Sequence, residues 1–291
     1  MDTIHVKAYG KLNLSLDVLS AMDNGYHALR MIMQSISLCD DIELRVERGA
    51  GEVRAVTNRY FLPNGDKNIA VRAVKVFFQN MGISGYDVDL RLKKRIPVCA
   101  GLGGGSSDGA AVLRGLNTLF QTGLGQKELE TMGLALGSDV PFCVAGGTVL
   151  AEGRGEVLTP VSPLQRCPVV VCKPGFSVST PELFSKVDSA DLKCHPDTEG
   201  MIAALEKGDL ANISHYIYNV FEDVMTRGRE EIQQIKNMLY DAGALGASMS
   251  GTGSAVFGLF DSVSHAAAAS VALKDRYKET FLTETTGALK I

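Results

Sequence analysis

The 291-residue sequence has no basic surplus. Its formal net charge is −4, and no run of five like charges occurs in it. Both features argue against a nucleic-acid binder, which carries a positive patch or stripe, and against a charged interaction tail. Six cysteines are present (Cys39, Cys99, Cys143, Cys167, Cys172, Cys194), with no C-x-x-C pair and no histidine cluster beside them. Zinc-ligand spacing is therefore missing, and the cysteines read as small apolar packing residues of a reducing compartment. The opening residues, "MDTIHVKAYG", lack the charged start and unbroken apolar core of a signal peptide. The most apolar window, residues 133–151, contains Asp139, Pro141 and four glycines. An aspartate in mid-membrane costs about 2.5–3.5 kcal/mol, so this window reads as protein interior. The expectation is a soluble, cytoplasmic protein that binds neither membrane nor nucleic acid. No internal repeat or low-complexity tract is visible.

What is present suits a folded enzyme-sized chain. The composition is 45% hydrophobic, and the length predicts about two domains. Alternating apolar residues in "IHVKAYGKLNLSLDV", "DIELRV" and "YDVDLRLKKRIPV" predict strands. Apolar residues at helical spacing predict a helix in "NIAVRAVKVFFQNMG" that stops at Gly82, and others in "GAAVLRGLNTLF", "QKELETMGLAL" and "REEIQQIKNMLYDAG". The Pro-rich "TPVSPLQRCP", residues 159–168, reads as a linker. It divides the chain into domains of residues 1–160 and 161–291. Past it, "VVVCKPG", "GASMS" and "AVFGLF" read as strands. Strands and helices mix without strict alternation, which favours an α+β fold over a doubly wound sheet.

Residues 100–109 read "AGLGGGSSDG", five of ten being glycine. The run sits between a predicted strand and a predicted helix. Glycine lets backbone N–H groups converge on one point, and the helix start adds its unpaired N–H groups and the positive end of its dipole. Together these suit a phosphate. Ser106, Ser107 and Asp108 fall where helix-capping residues belong, and either serine could reach a phosphate oxygen or a metal ion. A tight structural turn explains the glycines equally well. Walker A, the dinucleotide fingerprint and the protein-kinase motifs do not match.

Two further stretches bear on the choice. "GLALGSDVPFCVAGG" isolates one carboxylate, Asp139, in an apolar segment, where a helix cap is the plain alternative. "GASMSGTGSAVFG" is a second glycine-rich loop between strands, where a hairpin turn is the alternative.

These three segments in this order, with "YGKLNLSLDV" near the start, resemble the GHMP kinases, the family of galactokinase, homoserine kinase and mevalonate kinase. The family's central motif, P-x-x-x-G-L-G-S-S-A-A-like, corresponds to "IPVCAGLGGGSSDGAA", from Pro97 to Ala111. Its N-terminal Pro-Ala-Lys reads Tyr9-Gly10-Lys11 here, with the lysine kept. The resemblance implies a two-domain fold: an N-terminal domain like domain 2 of ribosomal protein S5, with an unusual left-handed βαβ crossover, and a ferredoxin-like C-terminal domain. The "GGGSSD" variant, "GKLNLSL", "NGYHALR" and "GSDVPFC" together resemble the branch that uses ATP to phosphorylate a cytidine-diphosphate-linked methylerythritol at its 2-hydroxyl, in the non-mevalonate route to isoprenoid precursors.

Residue roles follow from that resemblance. Asp139 and Lys11 are the catalytic pair, Asp139 accepting the hydroxyl proton and Lys11 stabilising the charge of the transfer. Pro97, Gly101, Leu102, Gly103, Gly104, Gly105, Ser106 and Ser107 hold the ATP phosphates, with Mg²⁺ bridging those phosphates. No protein metal ligand is assigned. Asn68 lies near the adenine, though helix capping explains it equally well. Asn13, Tyr26, His27, Thr180 and Phe184 meet the cytidine substrate, with Tyr26 and Phe184 as walls for the base and His27 as a hydrogen-bonding group. The same residues otherwise read as a surface lysine (Lys11), core aromatics (Tyr26, Phe184) and a surface imidazole (His27). A homoserine- or mevalonate-type kinase, or a nucleotide-binding module without catalysis, are the competing readings. The oligomeric state is not legible.

Overall fold

The computed structural model describes residues 2–23 and 25–289; Asn24 of the "NGYH" motif lies outside the described residues. The chain opens with two long antiparallel strands, β1 (Asp2–Ala21) and β2 (His27–Arg48). Then follow β3 (Val53–Thr57), helix α1 (Ile69–Met81), β4 (Tyr86–Lys93), α2 (Gly104–Leu119), α3 (Gln126–Leu134), α4 (Val140–Ala145), β5 (Thr148–Gly153) and β6 (Val157–Pro160). The second half contains β7 (Pro168–Lys173), α5 (Thr180–Ser189), α6 (Thr198–Lys207), α7 (Leu210–His215), β8 (Tyr218–Asn219), α8 (Phe221–Val224), α9 (Arg229–Asp241), β9 (Gly246–Met249), β10 (Val256–Leu259), α10 (Val263–Arg276) and β11 (Glu279–Glu284).

Two sheets organise these elements. The first follows the order β3-β4-β2-β1-β8, with β5 on β2 and β6 on β5. The second has the order β11-β7-β10-β9, with neighbours antiparallel throughout. Read in chain order, its strands lie 4-1-3-2 and follow a β-α-β-β-α-β plan, which is ferredoxin-like. The α+β expectation is met. The short β8 pairs with β1, so the second half of the chain also contributes to the first sheet.

Local rules account for the elements that place the site. Asn68 caps α1 by accepting the Ala70 N–H, and Gly82 ends that helix at φ +63°. In β1 the register with β2 shifts between Tyr9 and Lys11 and again between Asn13 and Ser15. Such bulges re-aim side chains, and these flank Lys11 and Asn13. The second half of the window 133–151 is interior, with Val140, Phe142, Cys143, Val144 and Ala145 of α4 buried, whereas Leu134 and Ala135 are exposed. Among the described residues no helix is long and apolar enough to cross a membrane.

Two expectations are corrected. Helix α2 starts at Gly104, not Gly109, with Gly103 as its cap residue in the left-handed region. Ser106, Ser107 and Asp108 therefore lie inside the first turns and cap nothing, because the glycines themselves adopt the cap conformation. Cys39, Cys143, Cys167 and Cys172 are buried, and burial pushes the Cys143 thiol up to about 12. Cys99 and Cys194 are exposed, so the reading as buried packing residues does not hold for them.

Candidate active site

Two adjoining clefts meet at the glycine loop. One, of about 630 Å³, runs from Leu62, Pro63 and Asn68 to the loop residues Gly103, Gly104 and Gly105. The other, of about 710 Å³, runs from the loop to Tyr26, His27 and Phe184. Gly101, Gly103, Ser106 and Thr180 line both, so the loop is the seam between them.

The smaller cleft is built from backbone. Gly101 and Gly103 have φ of +75° and +67°. A Cβ on Gly101 would lie 1.9 Å from the Ser250 carbonyl oxygen, so only glycine fits. That contact ties the loop to the second glycine-rich segment, where Ser250 Oγ also donates to the Gly101 carbonyl at 2.9 Å. The segment does join the antiparallel pair β9–β10, as a hairpin would, and it also braces the first loop. Pro97, Leu102 and Gly105 line this cleft as well. Asn68 lines it while capping α1, so both readings of that residue describe it. Ser107 departs from the expectation. It is buried, its hydroxyl donates to the Tyr9 carbonyl at 2.6 Å, and its N–H is spent inside α2 on Gly103.

Behind the loop lies a buried charge cluster. The Lys94 ammonium donates to Asp40 Oδ2 at 2.5 Å, to Asp108 Oδ2, and to the Gly104 carbonyl at 3.2 Å. Asp40 is fully satisfied, its Oδ1 accepting the N–H groups of Arg95 and Ile96. Asp108 is the second carboxylate on one ammonium, and its buried Oδ1 has no partner. Burial, aided by the Asp40 charge and opposed by Lys94, raises its pKa to about 7. Burial works against the charge on Lys94, yet the two carboxylates outweigh it and raise its pKa.

At the seam, Lys11 Nζ lies 3.8 Å from Asp139 Oδ2 and donates to Asn13 Oδ1 at 2.6 Å. Lys11 is 4% exposed, which excludes an ordinary surface lysine. Asp139 begins α4 but makes no capping bond with its side chain. Its carboxylate instead faces the larger cleft. Asn13 is fixed on both sides, its Nδ2 against Met31 Sδ and its N–H on Ser250 Oγ.

The far end of the larger cleft gathers Tyr26, His27 and Phe184. Tyr26 is 55% exposed, so it is not a core residue. The Arg154 guanidinium lies 4.9 Å from its ring centre. His27 stacks on Phe184 with centroids 4.6 Å apart, and Phe184 meets Phe221 nearly at right angles. His27 thus covers one face of Phe184. Thr180 bonds Thr252 through the two hydroxyls at the mouth.

Comparison with known proteins gives this geometry a family. The model for the GHMP kinase N-terminal domain matches residues 68–147, and the model for the GHMP kinase C-terminal domain matches residues 201–279. The chain belongs to the GHMP kinases. The 4-diphosphocytidyl-2-C-methyl-D-erythritol kinase of Alkaliphilus metalliredigens is 42% identical to it, over 98% of this chain and 97% of that protein. That of Lachnoclostridium phytofermentans is 45% identical, over 97% of each. A crystal structure of 4-(cytidine 5'-diphospho)-2C-methyl-D-erythritol kinase superposes with a TM-score of 0.81 at 33% identity, covering 98% of this chain and 100% of that one. Homoserine kinase from Cytophaga hutchinsonii, at 20% identity and a TM-score of 0.74, shares the fold.

GHMP kinases use ATP, and the two clefts give this one room for a nucleotide and an acceptor. Several residues of the site escaped the sequence reading. Arg154 and Asp188 line the larger cleft, yet each lies in a stretch with no motif. Lys94 lies within the predicted strand "YDVDLRLKKRIPV" and was not singled out, and Asp108 read as a helix cap. Their pairing spans two elements, and only the fold brings it about.

Proposed function

We propose that this GHMP kinase transfers the γ-phosphoryl group of ATP to the 2-hydroxyl of 4-diphosphocytidyl-2-C-methyl-D-erythritol. The observation that carries the reading is the larger cleft, where rings from distant parts of the chain stand at one end and the Lys11–Asp139 pair at the other. An aromatic end suits a nucleobase and has no use around a small aliphatic alcohol. The names of the relatives support the same substrate.

ATP lies in the smaller cleft with its phosphates on the N–H groups of the glycine loop and the start of α2. The hydroxyl oxygen attacks the γ-phosphorus, a new P–O bond forms, and the bond to the β-phosphate oxygen breaks to release ADP. Asp139 takes the hydroxyl proton. Lys11 offsets the negative charge that gathers on the transferred group. Phosphoryl transfer needs positioning and charge neutralisation more than covalent help, and a buried, braced Lys11 provides both. Among the described residues no group of three or more His, Cys, Asp or Glu is arranged to hold a metal. Mg²⁺ would enter on the nucleotide phosphates, with Asp139 the carboxylate at the seam. When bound, the ion neutralises phosphate charge. The protein acts in the cytoplasm on small molecules.

The test is ADP formation from ATP with the cytidine substrate, mevalonate or homoserine as acceptor. Turnover with the cytidine substrate alone is expected. Efficient turnover with mevalonate or homoserine would overturn the assignment.

A further inference from the structure

His27 is held from two directions. Its Nε2 lies 2.7 Å from Asp188 Oδ1, and its ring lies flat on Phe184. His27 opens β2 and Asp188 sits in the last turn of α5, 161 residues away in sequence. An acid in the last turn of a helix opposes the helix dipole, so Asp188 does nothing for α5 itself. Both side chains line the acceptor cleft.

A carboxylate oxygen only accepts hydrogen bonds, so the proton of this contact lies on His27 Nε2. In a neutral imidazole the other nitrogen, Nδ1, is then a bare lone pair, since the bond made by one ring nitrogen sets the state of the other. Among the described residues no other partner of the His27 ring is present. We propose that Asp188 is a specificity-determining positioning residue: by fixing the Nε2–H tautomer of His27 it presents Nδ1 as an acceptor that selects cytosine over uracil. The inference rests on the cytidine reading of the acceptor cleft.

The selection follows from the base edges. Cytosine carries an amino donor at its 4-position and an acceptor at N3. Uracil carries a carbonyl at the 4-position and a donor at N3. An acceptor Nδ1 satisfies the cytosine amino group. Placed in the same register, uracil sets one lone pair against another and leaves both groups unpaired. To offer its N3–H instead, uracil must slide by one ring position, against the register set by its diphosphate. A site built for one pattern discriminates strongly against the other for this reason. Stacking cannot do this, because every base has a π-face.

The test compares wild type with Asp188→Asn, Asp188→Ala and Asp188→Glu. CDP and UDP are measured as competitors of the cytidine substrate, and the His27 ring nitrogens are observed by ¹⁵N NMR in the folded proteins. In wild type, CDP should compete on the order of 100-fold better than UDP, and Nδ1 should resonate as an unprotonated nitrogen. Asp188→Ala should narrow the CDP:UDP ratio about tenfold, and Asp188→Asn, whose amide can turn either its oxygen acceptor or its NH2 donors to the imidazole, should narrow it less. They should raise the KM for the cytidine substrate rather than that for ATP. Asp188→Glu, which keeps the acceptor, should restore part of the ratio. A protonated Nδ1 in wild type, or a ratio unchanged within twofold in both Asn and Ala variants, overturns the inference and leaves the cytidine reading standing. No preference for CDP in wild type overturns both.

Discussion

The two clefts that meet at the glycine loop are built in opposite ways. Seven consecutive residues, 100–106, line the loop end of the smaller cleft, where we place the nucleotide, and glycine backbone makes up most of them. The acceptor cleft takes side chains from β1, the start of β2, the turn before α4 and α5. A backbone cradle recognises what all nucleoside triphosphates share. A set of side chains drawn from afar can be changed one at a time, and so it can specialise. The shared fold of homoserine kinase fits this division, since a fold does not fix the acceptor.

Substitutions can break the division at defined points. The largest effect is expected at the seam. Asp139→Asn should lower kcat by about 10²–10⁴-fold while ATP affinity measured by calorimetry stays within about twofold. A variant that keeps most of its turnover would remove Asp139 as the base.

Next comes the backbone cradle. A Cβ on Gly104 would lie 3.0 Å from Ile96 Cγ2, and a β-branched side chain there crowds the loop. Gly104→Val should weaken ATP binding by about tenfold or more in a protein that still unfolds cooperatively, because the residue lines the nucleotide cleft alone. On the acceptor side, Tyr26→Ala or Phe184→Ala should raise the KM for the cytidine substrate about tenfold, in line with about 1–3 kcal/mol for a base stacked on an aromatic ring. The KM for ATP should move far less.

The smallest effect concerns the cluster behind the loop. Burial and the Asp40 charge raise Asp108 from the ordinary carboxylate range to about 7. The folded state therefore holds a proton that the unfolded state has released, over the window from about 4 to about 7. The stability this contributes is present at low pH and is lost as pH rises through 7. Asp108→Asn cannot ionise, so its Tm should gain on wild type between pH 5 and pH 8, by about 4 °C. A constant difference across that range would show that Asp108 ionises normally.

The same contrast explains what could be read from sequence. Helix α1 was legible to its ends, because Asn68 and Gly82 are local signals acting on local backbone. The glycine loop was legible as a break between strand and helix for the same reason, although the start of α2 was misplaced by five residues. A run of glycines looks like loop until its own left-handed residue turns out to be the cap. Ser107 looked like a phosphate ligand, and nothing nearby in sequence reveals that Tyr9, on another strand, takes its hydroxyl. His27 and Phe184 were individually ambiguous, and their stacking, with Asp188 on the imidazole, depends on β2 and α5 meeting in space. The Lys94 cluster was illegible because Asp40, Lys94 and Asp108 come from separate elements that only the fold brings together.

The division of labour is tested most directly by one crossed titration. Gly104→Val and Phe184→Ala would each be titrated with ATP and with CDP by calorimetry. The account predicts that Gly104→Val loses ATP affinity and keeps CDP affinity, and that Phe184→Ala does the reverse. Loss of both ligands in either folded variant, or loss of ATP alone from Phe184→Ala, would contradict it.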